Sequence, residues 1–211
     1  RTAVRTHSDP ATLVSEAVAL FGSLLGQAPP ITVTQESAAQ GLRVWCDPQQ
    51  IQQVLLNLLK NALDAHRAAG RDNAAMVISI QHLPHHLAIA VRDHGAPLSE
   101  AERARLFEPF YTTRAHGLGL GLAICRGIAE AHGGALLARP ADASDITGAD
   151  TGTSHTGMVF AMHLPLAPAA SSAFALSKKN FTTPFSTRTL AMSSVVTGAP
   201  ESAETTTGAS L

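Results

Sequence analysis

Apolar residues at positions 13, 14, 17, 18, 20, 21, 24 and 25 recur at helical spacing and predict a helix from Ala11 to Leu25. Gly26 and the Pro29-Pro30 pair stop it. Asp47-Pro48 is a strong helix start, an N-cap acid followed by proline in the first turn, and the helix is expected to run to about Ala69 before Gly70 ends it. A third helical run covers Gly119 to His132 and stops at Gly133-Gly134. Ile31 to Thr34 and Leu42 to Cys46 read as two short strands. Met76 to His82 and Leu87 to Asp93 alternate around a proline-containing turn and predict a hairpin, and Ala135 to Ala138 and Met158 to Leu164 complete the strand set. Helices with mostly hairpin-joined strands, and no regular βαβ alternation, predict an α+β fold with a layer of helices on one sheet rather than a Rossmann domain.

Two stretches break the pattern. Residues 169–211 are mostly Ala, Ser and Thr with no sustained period and read as a disordered tail, while Pro140 to Gly157 reads as a long polar loop. The expected organisation is a linker over residues 1–10, one domain over 11–168 containing the 140–157 loop, and the tail. With 15 Lys+Arg against 16 Asp+Glu the formal net charge is −1, which gives no pull toward phosphate backbones or anionic lipid. Neither nucleic acid nor membrane contact is therefore expected. Two cysteines, Cys46 and Cys125, without a CxxC, suit neither a disulfide framework nor a zinc ribbon and point to a reducing compartment. No stretch approaches the ~20 apolar residues of a membrane span, and RTAVRTHSDP lacks a signal-peptide core. A cytoplasmic location is the expectation.

The chemistry gathers in four places. On the helix after Asp47, Gln50, Gln53, Asn57, Asn61 and Asp64 share one face, opposite Val54, Leu55, Leu58, Leu59 and Ala62. Carboxamides one turn apart offer neutral oxygens to a hard cation and NH2 donors to phosphate oxygen, although a plain polar face has the same pattern. Asp93-His94-Gly95 ends an alternating strand with a carboxylate that can accept from an exocyclic amine, and Gly95 permits close approach to a flat ring; an ordinary Asp-x-Gly turn fits as well. Leu106 to Arg114 puts three aromatics beside Thr112, Thr113 and Arg114, as in a loop that closes over a ligand or in a small apolar cluster. Gly117-Leu118-Gly119-Leu120-Gly121 runs straight into a helix, where crowded backbone N–H groups and the positive helix end can cradle an anion; a tight packing turn is the alternative. His82, His85 and His86 cluster at the hairpin turn without an acid or cysteine partner and read as exposed turn residues.

Taken together, NLLKNALDA (57–65), the Asp-x-Gly turn, FEPFYTTR (107–114), GLGLGLAICRGIAEAHGG (117–134) and GMVFAMHLPL (157–166) resemble, in order and in text, the ATP-binding catalytic domain of sensor histidine kinases. That domain belongs to the wider superfamily of gyrase, Hsp90 and mismatch-repair ATPases. The resemblance spans about residues 11–166. It implies a two-layer α/β sandwich, helices packed on one face of a mixed sheet, that binds Mg-ATP and donates the γ-phosphoryl to a histidine. Asn61 would ligate Mg2+, Asn57 would help hold the triphosphate, and Asp64 would belong to the same nucleotide-binding face. Asp93 would read the adenine amine, with Gly95 beside it. Gly117, Leu118, Gly119, Leu120 and Gly121 would wrap the phosphates. Residues from about Ser99 to His116 would form a mobile lid, with Thr113 near the nucleotide and Arg114 near the γ-phosphate.

Two departures qualify the resemblance. Pro97 stands where the family usually has the second glycine of Asp-x-Gly-x-Gly, fixing φ and removing an N–H. No His-Glu/Asp phosphoacceptor block precedes the asparagine-rich helix, and His7 does not resemble one. The acceptor is therefore expected on a histidine hairpin of the parent kinase outside this chain, with a response regulator downstream and this portion monomeric. The alternatives are a degenerate nucleotide-binding regulatory module and a self-contained ATPase or serine kinase of the same superfamily.

Overall fold

The computed structural model describes residues 4–26, 29–113, 117–142, 145 and 157–167. Its central element is the helix that Asp47 begins. The Asp47 carboxylate accepts from the N–H groups of Gln49 (3.0 Å) and Gln50 (3.4 Å), and α2 runs over Pro48–Ala68. Val4 donates to the same carboxylate at 3.0 Å. Against the desolvation that opposes ionisation, these three donors hold the Asp47 carboxyl below its ordinary value. Ile51, Val54, Leu55, Leu58 and Leu59 are fully buried along one side of α2, each contributing roughly 1.5–3 kcal/mol by removal from water.

The other elements arrange around that helix. β1 (Thr6–Ser8) pairs antiparallel with β3 (Val44–Cys46) in a two-stranded ribbon. The main sheet has five strands in the order β2-β4-β5-β7-β6: β2 (Ile31–Gln35), β4 (Met76–Leu83), β5 (His86–Arg92), β7 (Met158–Pro165) and β6 (Ala135–Pro140). β2 runs parallel to β4, and every other pairing is antiparallel, so the sheet is mixed. α1 (Pro10–Leu25) packs on α2, and α2 and α4 (Gly121–Ala131) pack on each other and on the sheet. The α+β layering expected from the sequence is the observed one. Ile78, Ile80, Leu87, Ile89, Val91, Phe160 and Met162 alternate onto the helix-facing side and join the main core. On the opposite side Ala90, Ala141, Val159 and Ala161 form a smaller apolar cluster, flanked by Arg92, which donates to the Asp145 carbonyl at 2.8 Å.

Three features differ from the sequence reading. Residues 6–8, read as linker, make β1, because a three-residue strand carries no periodic signal and is fixed by its partner. Leu42 to Cys46 shortens to β3 and lies outside the main sheet. The lid segment contains a helix, α3 (Glu100–Arg105), started by a full capping box in which Ser99 Oγ accepts from the Glu102 N–H while Glu102 accepts from the Ser99 N–H. A 3-10 turn also spans Ser37–Ala39. Among the described residues no helix is long and apolar enough to cross a membrane. The 169–211 tail and most of the 140–157 loop lie outside the described residues.

Gly134 enters β6 against the backbone of β7, where a Cβ would lie 1.9 Å from the His163 carbonyl oxygen; Gly127 is exposed on α4 with nothing within 4 Å of an added Cβ. Gly134→Ala is expected to cost about 3 kcal/mol in urea unfolding, by overpacking against backbone that cannot yield. Gly127→Ala is expected to add about 1 kcal/mol through helix propensity.

Candidate functional site

A cavity of ≈ 840 Å3 opens between α2, the loop after β5, the segment carrying α3 and the N-terminus of α4. Of the polar face expected on α2, Asn57, Asn61 and Asp64 line it, joined by Lys60. Gln50 and Gln53 lie nearer the helix start and do not line it. Asn57 has a second contact. It lies beside the thiol of Cys125 on α4, and burial, outweighing the lowering influence of the Asn57 side chain, pushes the Cys125 thiol up to about 11. A thiol so disfavoured as thiolate acts as packing, tying α2 to α4.

At the base of the cavity Asp93 is only 3% exposed. Its Oδ1 accepts from the N–H groups of Gly95 (2.8 Å) and Met158 (3.1 Å), and its own N–H donates to the Met158 carbonyl at 3.0 Å. Gly157, at φ +125°, lies so close that a Cβ there would be 2.0 Å from the Asp93 carbonyl oxygen. The carboxylate is thus locked between a turn and a strand. A carboxylate offers about four acceptor sites, so one that is locked in place remains able to accept from a ligand N–H. Gly95 does not line the cavity; it packs behind Asp93 onto α2, where a Cβ would meet the Ala65 Cβ at 2.8 Å. Ala96 and Leu98 both line the cavity on either side of Pro97.

Gly117, Leu118, Gly119, Leu120 and Gly121 all line the opposite wall, and α4 begins at Gly121 with its N-terminal end at the cavity. The first N–H groups of a helix have no intrahelical acceptor, which makes this end suited to an anion. Gly119 has φ +65°, and a Cβ on it would lie 2.5 Å from the Phe110 carbonyl carbon and 2.6 Å from the Tyr111 oxygen. Its carbonyl accepts from the Phe110 N–H at 2.9 Å. Phe110 itself takes φ 66°, an uncommon conformation for a bulky side chain, and stays 77% exposed. The lid segment is therefore pinned to the glycine segment through its backbone. Tyr111 lies under the Arg105 guanidinium, 4.4 Å from ring centroid to cation. Thr113 lines the cavity; Arg114 lies outside the described residues.

Two contacts escaped sequence reasoning. His132, after α4, accepts the Asp47 N–H through Nε2 at 3.0 Å while its Nδ1 faces the Ile128 carbonyl at 2.8 Å. His66, fully buried on α2, accepts the His94 N–H through Nε2 at 2.8 Å. The signal for His66 was its position: it continues the apolar stripe of Leu55, Leu59 and Ala62 at spacings of four, three and four. For His132, which follows the last turn of a helix, sequence carries no comparable signal. Of the three histidines read as exposed turn residues only His85 is exposed in the turn, while His82 and His86 are half-buried strand residues of β4 and β5, and among the described residues no three His, Cys, Asp or Glu side chains converge in a way that could hold a metal.

The donors present fit a magnesium ion carried by phosphate. Mg2+ takes few protein oxygens and completes its shell with phosphate and water. Asn61 on α2 and the glycine segment leading into α4, which line the same cavity, supply that kind of site.

Comparison with known proteins converges on one family. The family described as "Histidine kinase-, DNA gyrase B-, and HSP90-like ATPase" matches residues 46–168. The chain is 42% identical over 89 residues to the Sensor protein TdiS of Thauera aromatica, covering 41% of this chain and 16% of that protein. It is 37% identical over 95 residues to Sporulation kinase E of Bacillus subtilis, covering 44% and 12% respectively. The matched stretch is thus a small fraction of either relative. The structure is similar to the nucleotide-free catalytic domain of histidine kinase ThkA, with 29% identity, a TM-score of 0.60, and coverage of 77% of this chain and 95% of that one. The fold also matches full-length ShkA solved in complex with AMPPNP, at 23% identity and TM-score 0.60, over 81% of this chain and 33% of that one. Helices on a mixed sheet, a buried carboxylate facing a glycine-rich helix start, and a family match over more than half of the residues agree: this chain belongs to the histidine kinase-, DNA gyrase B- and HSP90-like ATPases, and its domain is of the histidine-kinase catalytic type.

Proposed function

We propose that this domain binds Mg-ATP in the ≈ 840 Å3 cavity and donates the γ-phosphoryl to a histidine outside the chain, as the catalytic part of a two-component sensor kinase. The observation that carries the reading is the locked Asp93 carboxylate at one end of a cavity whose other end is a helix N-terminus wrapped by glycines. A fixed acceptor suits the adenine N6 amine, and the glycine-lined N–H groups suit phosphate. When bound, Mg2+ would neutralise phosphate charge. Asn61 would hold it, Asn57 and Asp64 would complete the polar wall toward the triphosphate, and Gly117 to Gly121 would surround the phosphates. Thr113 and Arg114, on the lid, would reach the γ-phosphoryl end.

Phosphoryl transfer to histidine needs positioning more than covalent chemistry from this domain, and the residues present supply positioning. The electrophile is held while an imidazole nitrogen approaches in line. Phe110 and Leu118, 77% and 80% exposed on the two segments joined by the Gly119–Phe110 bond, give the acceptor hairpin an apolar surface beside the cavity. A response regulator aspartate would take the phosphoryl next. The reading further places the domain in the cytoplasm, monomeric apart from that hairpin.

Titration of the chain with a fluorescent ATP analogue tests the nucleotide site. Saturable binding is expected, with Asp93→Ala weakening it roughly 10- to 100-fold, the scale of a hydrogen bond to a charged group. Asn61→Ala is expected to abolish the Mg2+ dependence while leaving Mg2+-free binding nearly unchanged. No binding at millimolar nucleotide in a folded protein would instead support the degenerate-module reading. With γ-labelled ATP the chain alone is expected to stay unlabelled, and a separately supplied histidine hairpin to acquire an acid-labile, base-stable phosphoryl group. Turnover of ATP without any acceptor would favour a self-contained ATPase.

A further inference from the structure

The turn that carries Asp93 is anchored to α2 at three neighbouring points. Gly95 packs on Ala65, the His94 N–H donates to His66 Nε2 at 2.8 Å, and Arg71, just past the helix, donates through Nη1 to the His94 carbonyl at 3.0 Å. Both backbone groups of His94 are thus held by side chains, one from the last turns of α2 and one from the segment just after it. Asp93 and Gly95, on either side, form the locked carboxylate and its donor. His66 does not line the cavity; it acts from behind the turn.

We propose that His66 is a positioning residue for nucleotide binding: while neutral it holds the Asp93–Gly95 turn in its binding shape, and its protonation releases that turn, so that affinity for adenine nucleotide falls in mildly acidic solution. The inference rests on the reading of the cavity as a nucleotide site.

The chemistry follows from the bond itself. Nε2 accepts the His94 N–H and so carries no proton; the neutral ring keeps its single hydrogen on Nδ1. An imidazolium would turn a donor toward a donor at 2.8 Å. Burial, with the positive charges of His94 and Arg71 beside it, lowers the His66 pKa. The charged or titratable groups facing the ring are His94, whose ring centroid is 5.8 Å away, and Arg71; neither favours a cation there. Asp93, one residue from the donated N–H, directs Oδ1 to Gly95 and Met158. The sign is fixed. The bound shape requires neutral His66, whereas a released turn lets the imidazole rise toward its ordinary 6.5. Affinity is therefore full while His66 stays neutral and falls once the pH drops below its lowered value, by up to about tenfold per pH unit.

The test measures ADP affinity of the full chain by calorimetry without Mg2+ at pH 7.5, 6.5 and 5.5, folding being checked by circular dichroism. Wild type is compared with His66→Gln, which keeps an uncharged acceptor, and His66→Leu, which has none. Titration of the ADP phosphate is common to all three. Expected is a loss between pH 7.5 and 5.5 about tenfold greater for wild type than for His66→Gln, a wild-type-like affinity of His66→Gln at pH 7.5, and weak binding by His66→Leu at every pH. Hydrogen exchange at the His94 amide, read by NMR without nucleotide, is expected to be slow in wild type at pH 7.5 and fast in His66→Leu. Parallel pH profiles for wild type and His66→Gln, or an unchanged His94 exchange rate in His66→Leu, would overturn the assignment while leaving the nucleotide site intact. Folded wild type that binds no ADP at pH 7.5 would overturn both.

Discussion

Everything in this domain hangs on α2 serving two solvents at once. One side buries Ile51, Val54, Leu55, Leu58 and Leu59 completely, which fixes the helix on the core. The other presents Asn57, Asn61 and Asp64 to the cavity. Because side chains project at fixed angles from a helix, anchoring the apolar stripe sets the direction of the amides without separate restraint. A polar face built on a loop would have to meet the ordering entropy of each side chain by other contacts.

The rest of the cavity is shaped by backbone meeting backbone. Gly157 against Asp93, Gly95 against Ala65 and Gly119 against Phe110 and Tyr111 are approaches that no side chain could tolerate without displacement. Two of them fix a functional group directly: the Asp93 carboxylate is locked by the Gly95 and Met158 N–H groups, and the lid is joined to the glycine segment through the Gly119 carbonyl. Precision at the Asp93 end and backbone attachment at the Gly119 end thus arise from the same device. The difference lies in what surrounds it: Asp93 is buried, whereas Phe110 is open to solvent.

Legibility in the sequence followed the range of the interactions. α1, α2, α4, the β4–β5 hairpin and the strand near the end of the domain were readable because 3.6- and 2-residue periods are local properties of the chain. The Asp47 cap was readable for the same reason. The cavity residues were readable because glycines, amides and an acid at strand and helix ends are uncommon combinations, and together they carried a family resemblance. β1 was not, since residues 6–8 become a strand only by pairing with Val44–Cys46. α3 was hidden because six residues bury nothing and depend on the Ser99–Glu102 box. The spacing of His66 continues an apolar stripe, but its role as acceptor exists only because the fold places the His94 amide on it.

His66 and His132 share one role at opposite ends of α2. His132 takes the Asp47 N–H at the first turn and so couples the helix start to the end of α4; His66 takes the His94 N–H near the last turns and couples the helix end to the Asp93 turn. Each N–H would otherwise be a buried donor lacking an acceptor, at a cost of about 1–3 kcal/mol. Imidazole suits both places because it offers a neutral acceptor on a flat, largely apolar ring that packs in a core. Serine or asparagine would bring a shorter reach and further polar atoms to satisfy. The consequence is mechanical: with α4 tied to one end of α2 and the Asp93 turn to the other, the glycine-rich wall and the Asp93 wall of the cavity keep a spacing set by one rigid helix.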